Sequence, residues 1–148
     1  MNKQTVKDIN VAGKRVLMRA DFNVPLSSKN PADTITVTDD TRIQAALPTI
    51  NYLLAQEPAA LLLCTHFGRP KTAADIQYST RPVAQRLAEL LGRAVTFVPA
   101  VVGAEVQQAL AEAQPGAVIM LENTRFEPTE TKNGTQLSAD LAALADVY

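Results

Sequence analysis

The sequence predicts an α/β fold: an open parallel sheet with helices on both faces, a Rossmann-like three-layer αβα arrangement. Three observations predict it. Short apolar runs alternate with segments of helical spacing along the chain. Two of those runs, from Ala59 to Cys64 and from Ala117 to Leu121, are apolar throughout, as strands covered on both faces are. No repeat or linker interrupts the alternation, and 148 residues suit one domain with a real core.

The first strand is expected from Lys14 to Ala20. Leu26 to Asp33, rich in Ser, Asn and Pro, reads as a loop or hairpin, and Thr34 to Val37 as a short edge strand. Asp39, Asp40 and Thr41 supply helix-start chemistry. Ile43, Ala46, Leu47, Ile50, Leu53 and Leu54 then recur at helical spacing, with Pro48 expected to delay or bend that helix. After the strand that ends at Cys64, Ser79 or Thr80 caps a second helix with Pro82 in its first turn. Its apolar stripe is Val83, Leu87, Leu90 and Leu91, and Gly92 ends it. Val95 to Val98 is a strand, Gly103 to Ala113 a helix stopped by Pro115-Gly116, and Ala117 to Leu121 the next strand. Asn133-Gly134 opens the last helix, with Leu137, Leu141 and Leu144 inward. Val147-Tyr148 begins one more strand, so the chain reads as a piece of a longer protein cut inside the fold, with some risk of self-association through an unpaired edge.

Composition narrows the function classes. The apolar fraction of 47% suits a globular protein. A formal net charge of -1 argues against nucleic acid as a partner, so any cationic site is local. No apolar run approaches the ~20 residues that span a bilayer, and Met1 to Val6 lacks a signal-peptide core. The single Cys64 forms no internal disulfide and reads as an inert core thiol, which suits a reducing, cytoplasmic compartment. One Cys and one His are too few for a Cys/His metal cluster, and no metal ligands are expected on this chain.

The chemistry is expected where strands end. In open parallel sheets ligands bind beyond the carboxyl ends of the strands. That rule selects Asp21 and Asn23, His66 to Arg69 within the Thr65-His66-Phe67-Gly68-Arg69-Pro70 segment, and Asn123 to Arg125 within the Glu122-Asn123-Thr124-Arg125-Phe126 segment; it admits Arg42 if its helix starts on the same rim. Arginines and a histidine gathered on one rim repel one another unless an anion lies between them. The planar fork of Arg suits carboxylate and phosphate. Asp21 would repel an anion, so it fits a ligand hydroxyl, and Asn23 can donate to an ester or hydroxyl oxygen. The implied ligand is a phosphorylated hydroxy acid. Gly68 is expected to let the backbone turn close to it.

These motifs, with the Asp-Asp-Thr-Arg-Ile helix start at Asp39 to Ile43, occur in this order in a known family. The chain resembles the N-terminal, 3-phosphoglycerate-binding domain of the phosphoglycerate kinase family over essentially its whole length. The resemblance implies that residues 1–148 are most of that domain. It also implies that the parent moves a phosphoryl group reversibly between ATP and 3-phosphoglycerate, giving ADP and 1,3-bisphosphoglycerate, in glycolysis. By position it implies Arg42 as the catalytic residue, holding the carboxylate and stabilising the moving phosphoryl group. Asp21 and Asn23 would bind the hydroxyl and nearby oxygens, and His66, Arg69 and Arg125 the phosphate that stays; Phe22, Phe67 and Gly68 belong to the same segments and join the binding set. The resemblance assigns Mg2+ and ATP/ADP to a C-terminal domain absent from this chain, along with a further phosphate-binding Arg beyond Val147. A full-length cytoplasmic monomer and an inactive 148-residue piece are the corresponding expectations. Thr65 and Phe67 stand where many relatives carry Ser and Leu, changes that leave the charge unaltered.

Structural roles are also expected of several of these charged residues and their neighbours. Arg19 is expected in a structural ion pair, Arg125 with Glu122 or Glu127, Asp21 in a turn with Asn23, and Arg81, Arg86 and Arg93 on a solvated helix surface. A nicotinamide-dependent oxidoreductase is excluded by the first strand, which is followed by Asp-Phe-Asn-Val-Pro and not by a glycine fingerprint. A metabolite-binding module without chemistry stays open for the isolated chain.

Overall fold

Four strands and four α-helices alternate in the computed structural model, which describes residues 3–148. Met1 and Asn2, part of the stretch read as lacking a signal core, lie outside the described residues. The order is β1 (Arg15–Arg19), α1 (Thr41–Ala55), β2 (Ala60–Cys64), α2 (Arg81–Leu91), β3 (Val95–Val98), α3 (Ala104–Glu112), β4 (Ala117–Leu121) and α4 (Thr135–Ala142). All three strand pairings are parallel, in the sheet order β1-β2-β4-β3.

Side chains alternate across the sheet and divide the core in two. Val16, Leu61, Leu63, Val118 and Met120 face one side, against Ile43, Ile50 and Leu53 of α1 and Val83, Ala84 and Leu87 of α2. Leu17, Leu62, Cys64, Ile119 and Leu121 face the other, against Val106 and Leu110 of α3 and Leu144, just past α4. Strand β2 is buried at every position, which is why its sequence carries no polar alternation. This is the expected three-layer α/β fold.

Three expectations need correction. Thr34 to Val37 forms no strand of the sheet. Val37 makes one antiparallel bridge to Leu26, and Ser27 N–H donates to Thr36 O at 2.8 Å, so the segment closes its own loop. Its alternation is a polar turn's composition, with no sheet edge beside it to receive it. Pro48 does not delay α1, which starts at Thr41 with Pro48 inside it. The hydrogen bond that Pro removes costs about 3 kcal/mol, and it falls on an exposed stretch while Ile43, Ile50 and Leu53 stay in the core. Thr80 occupies the N-cap of α2, but its hydroxyl does not cap; of the two residues expected there it is Ser79 whose Oγ accepts the first helical N–H, Arg81, at 3.3 Å. The Thr80 hydroxyl donates to Leu121 O at 2.8 Å, and the Glu122 carboxylate accepts Thr80 N–H at 2.8 Å.

The last residues reach the open edge of β1. Val147 makes a parallel bridge with Val16, Leu17 N–H donates to Val147 O at 2.9 Å, and the Asp146 carboxylate accepts Arg15 N–H at 2.9 Å. Tyr148 is 80% exposed.

Candidate anion-binding site at the carboxyl ends of the strands

Strands β1, β2 and β4 are neighbours in the sheet, so the segments that leave their carboxyl ends share one rim. Those segments carry Asp21 to Asn23, His66 to Arg69 and Asn123 to Arg125. The backbone continues to pair past the strands: Ala20 N–H donates to Cys64 O and Thr124 N–H to Thr65 O, both at 3.0 Å. Thr65, fully buried, ties the first two segments through its hydroxyl, which accepts Phe22 N–H at 3.0 Å.

Asp21 and Asn23 form an Asx turn, with Asn23 N–H donating to Asp21 Oδ1 at 3.1 Å. Between them Phe22 is 0% exposed and anchors the turn in the core, so only its backbone faces the rim. Phe67 is buried in the same core cluster. Both are in the expected binding set, and in both the side chain packs inward while the flanking residues stay accessible.

Arg42, in the first turn of α1, reaches Asp21 with Nη1 3.0 Å from Oδ1 and 3.1 Å from Oδ2. Their side chains are 53% and 56% exposed. Desolvation works against the Asp21 carboxylate, but the Asn23 N–H, Arg42 and His66 outweigh it and hold its pKa below the ordinary 3.8. Asp21 is therefore engaged by Arg42 as well as by its own turn. Asn23 Oδ1 accepts Gly68 N–H at 3.1 Å. Its Nδ2 takes no protein acceptor among the described residues, so that donor is available to a ligand.

Gly68 joins the parts. Its carbonyl accepts Arg125 Nη1 at 2.9 Å, and its φ of +57° lies in the left-handed region. A Cβ there would stand 2.5 Å from Tyr78 Cε1, so the close approach and the φ both call for glycine. Arg69 and Arg125 line one cleft of about 500 Å³ with Pro70, Lys71, Glu127 and Thr131. The half-buried His66 ring makes no hydrogen bond among the described residues and lies close enough to Asp21 to contribute to the lowering of its pKa. The rim therefore has two arginine centres, Arg69 with Arg125 in the cleft and Arg42 on Asp21 with His66 nearby, joined through Asn23 and Gly68.

The partner of Arg125 is neither Glu122 nor Glu127. Its Nε lies 3.7 Å from Glu130 Oε2, and Glu130 also takes Arg19 at 3.1 Å, the structural ion pair expected for Arg19. Glu122 is committed elsewhere, accepting from Ser79 Oγ at 2.7 Å and from Thr80 N–H. The arginines of α2 and its end also have partners: Arg86 pairs with Asp40 and Glu89, Arg81 lies 4.4 Å over the Phe97 ring, and Arg93 donates to Gly116 O at 2.6 Å. Glu130 is the site residue that reading single segments missed, with no signal of its own in the sequence; Thr65 and Asn123 stand in the segments singled out there, but no role was assigned to either.

Comparison with known proteins fits this rim. The phosphoglycerate kinase family model matches residues 6–148. The chain belongs to the phosphoglycerate kinase family. A phosphoglycerate kinase from Fervidobacterium nodosum is 52% identical over 148 residues, covering all of this chain and 35% of that protein. One from Chloroflexus aggregans is 49% identical over 150 residues, again covering all of this chain and 36% of the relative. Among solved structures, phosphoglycerate kinase from Pyrococcus horikoshii OT3 superposes with a TM-score of 0.81 at 30% identity, over 95% of this chain and 35% of that one. The Coxiella burnetii phosphoglycerate kinase gives 0.77 at 32% identity, over 95% and 32%. The chain thus spans about a third of the length of the phosphoglycerate kinases it matches.

The residues present do not fit the Mg2+ that such kinases imply. Among the described residues no three His, Cys, Asp or Glu side chains gather to hold a metal. Among the described residues no helix is long and apolar enough to cross a membrane.

Proposed function

We propose that this chain forms the acceptor site of a phosphoglycerate kinase, binding 3-phosphoglycerate and 1,3-bisphosphoglycerate for exchange of a phosphoryl group with ADP and ATP. The observation that carries the proposal is the pair Arg69 and Arg125 lining one cleft, tied through Gly68 and Asn23 to the Asp21–Arg42 turn. A phosphate fits between two guanidinium groups because each offers paired donors. His66, which lies beside Asp21, supplies a further donor to the same phosphate in this reading, as the family resemblance implies. Asn23 Nδ2 donates to an ester or hydroxyl oxygen. Asp21 accepts from the hydroxyl.

Arg42 is the catalytic residue in this reading. A substrate carboxylate would exchange places with the Asp21 carboxylate on the exposed guanidinium, and the same guanidinium would stabilise charge on the phosphoryl group as it moves. Phosphoryl transfer depends almost wholly on position and charge stabilisation. Mg2+ with ATP or ADP would supply further neutralisation of phosphate charge from a second domain, and no cluster of carboxylates on this rim would hold the metal. The 148 residues alone therefore bind the acceptor without turnover. A monomeric full-length enzyme in the cytoplasm completes the proposal, and the single buried Cys64 suits that compartment.

Calorimetric titration of the chain with 3-phosphoglycerate tests the site, and a coupled assay with ATP tests the turnover. Saturable binding with no measurable ADP is expected. Absence of binding, or turnover near that of an intact kinase, overturns the corresponding half.

A further inference from the structure

We infer that Asn123 is the positioning residue of the anion cleft: its one side-chain amide fixes the His66–Arg69 loop relative to Arg125. The side chain is 0% exposed. Its Oδ1 accepts two backbone N–H groups, Phe67 and Arg125, each at 3.0 Å. Its Nδ2 donates to two carbonyls, Phe67 O at 2.6 Å and Tyr78 O at 3.0 Å. A carboxamide has two acceptor sites and two donor hydrogens, so its capacity is filled. No other side chain type of this size offers both in one plane.

The partners explain what this arrangement does. Phe67 is bonded at both its N–H and its carbonyl, as it would be by a neighbouring strand, although no strand lies there. His66, Gly68 and Arg69 flank it. Arg125 is bonded at its own N–H, which sets where its side chain starts. The two halves of the phosphate cleft thus meet on one buried amide, and the third partner, Tyr78, backs Gly68. Asn123 is itself held, its N–H donating to Glu122 Oε1 at 2.7 Å, while Glu122 also takes Ser79 Oγ and Thr80 N–H. Rigid support of this kind decides affinity, because a small displacement of a positioning group costs up to about 10²-fold.

This inference rests on the reading of the rim as a 3-phosphoglycerate site, and the test separates the two. Asn123→Ser is compared with Val106→Ala, a core truncation on the opposite face of the sheet, after denaturant unfolding has measured the stability lost by each. The probe is 3-phosphoglycerate, titrated into the 148-residue chain by calorimetry. Asn123→Ser is expected to weaken binding about tenfold or more and Val106→Ala to leave it within about twofold of the parent; equal weakening at equal destabilisation overturns the inference. Backbone amide exchange of the unmodified chain, without ligand, is the second arm. The Phe67 and Arg125 N–H groups lie outside every strand and α-helix, so protection of both is expected only if Asn123 holds them. Fast exchange at either refutes the inference, even if the serine variant does not fold. A parent chain that fails to bind while both amides are protected sinks the substrate reading and leaves Asn123 as the support of the loop.

Discussion

Replacing Gly68 with alanine tests the close packing of the rim, and its cost can be worked from the structure. The residue sits at φ +57°. A side chain in the left-handed region costs roughly 1–2 kcal/mol. The new methyl would also press on the Tyr78 ring, whose Cε1 is 2.5 Å from the ideal Cβ position. Overpacking of this kind costs about 1–3 kcal/mol. Gly68→Ala is thus expected to destabilise the chain by about 2–5 kcal/mol. Gly92 provides the internal control. Its φ is +66° and nothing lies within 4 Å of its ideal Cβ, so Gly92→Ala carries the conformational cost alone. Urea unfolding monitored by circular dichroism reads both, provided the slopes agree. A cycle with Tyr78→Ala isolates the clash. Removing the ring should return about 1–3 kcal/mol to the Gly68→Ala chain. Gly68→Ala no more costly than Gly92→Ala, or no coupling to Tyr78, would refute the reasoning.

Other outcomes follow from the same geometry. In an intact kinase, Arg42→Ala should lower kcat more than it raises KM for 3-phosphoglycerate, whereas Arg69→Ala and Arg125→Ala should chiefly raise KM, each by about 10–100-fold for a charged hydrogen bond lost; steady-state kinetics showing the same pattern for all three would count against separate roles. The folded pKa of Asp21 lies below 3.8, so its ion pair contributes above the ordinary carboxylate range and is lost as pH falls through the folded value. Both partners are largely exposed, so the contribution is at most about 1 kcal/mol. The stability gap between the parent and Asp21→Asn should therefore be small at pH 6 and close as pH falls through the lowered folded pKa of Asp21; a gap that widened on acidification would reverse the sign. Burial pushes the Cys64 thiol up to about 11, with Glu130 adding to the rise and Arg19 opposing it. Iodoacetamide at neutral pH should leave Cys64 unmodified in the folded chain and label it fully in denaturant, as mass spectrometry would show.

Much of the fold was legible because its signals are local. An apolar run such as Leu61 to Leu63 needs no partner to be recognised as a buried strand. Pro82 and Gly92 bracket α2 through their own backbone restrictions, and Gly92 takes the left-handed cap the sequence implies. The rim segments were legible for a related reason, since a polar cluster directly after a buried strand has few places to be. Thr34 to Val37 misled because alternation alone does not distinguish an edge strand from a loop closed on itself.

The sequence by itself determined which segments are strands and helices, which polar groups leave the strand ends, and the family to which their order belongs. Only the tertiary structure decided the partners. The order β1-β2-β4-β3 sets three strand ends side by side. Glu122 holds the N-cap residue of a helix that starts 41 residues earlier, Arg125 pairs with Glu130, and one amide of Asn123 gathers Phe67, Tyr78 and Arg125. Local periodicity follows from the backbone geometry of neighbouring residues, and it can be read one segment at a time. Choosing among several carboxylates for one arginine depends on distances across the sheet, and those exist only once the strands have paired in register.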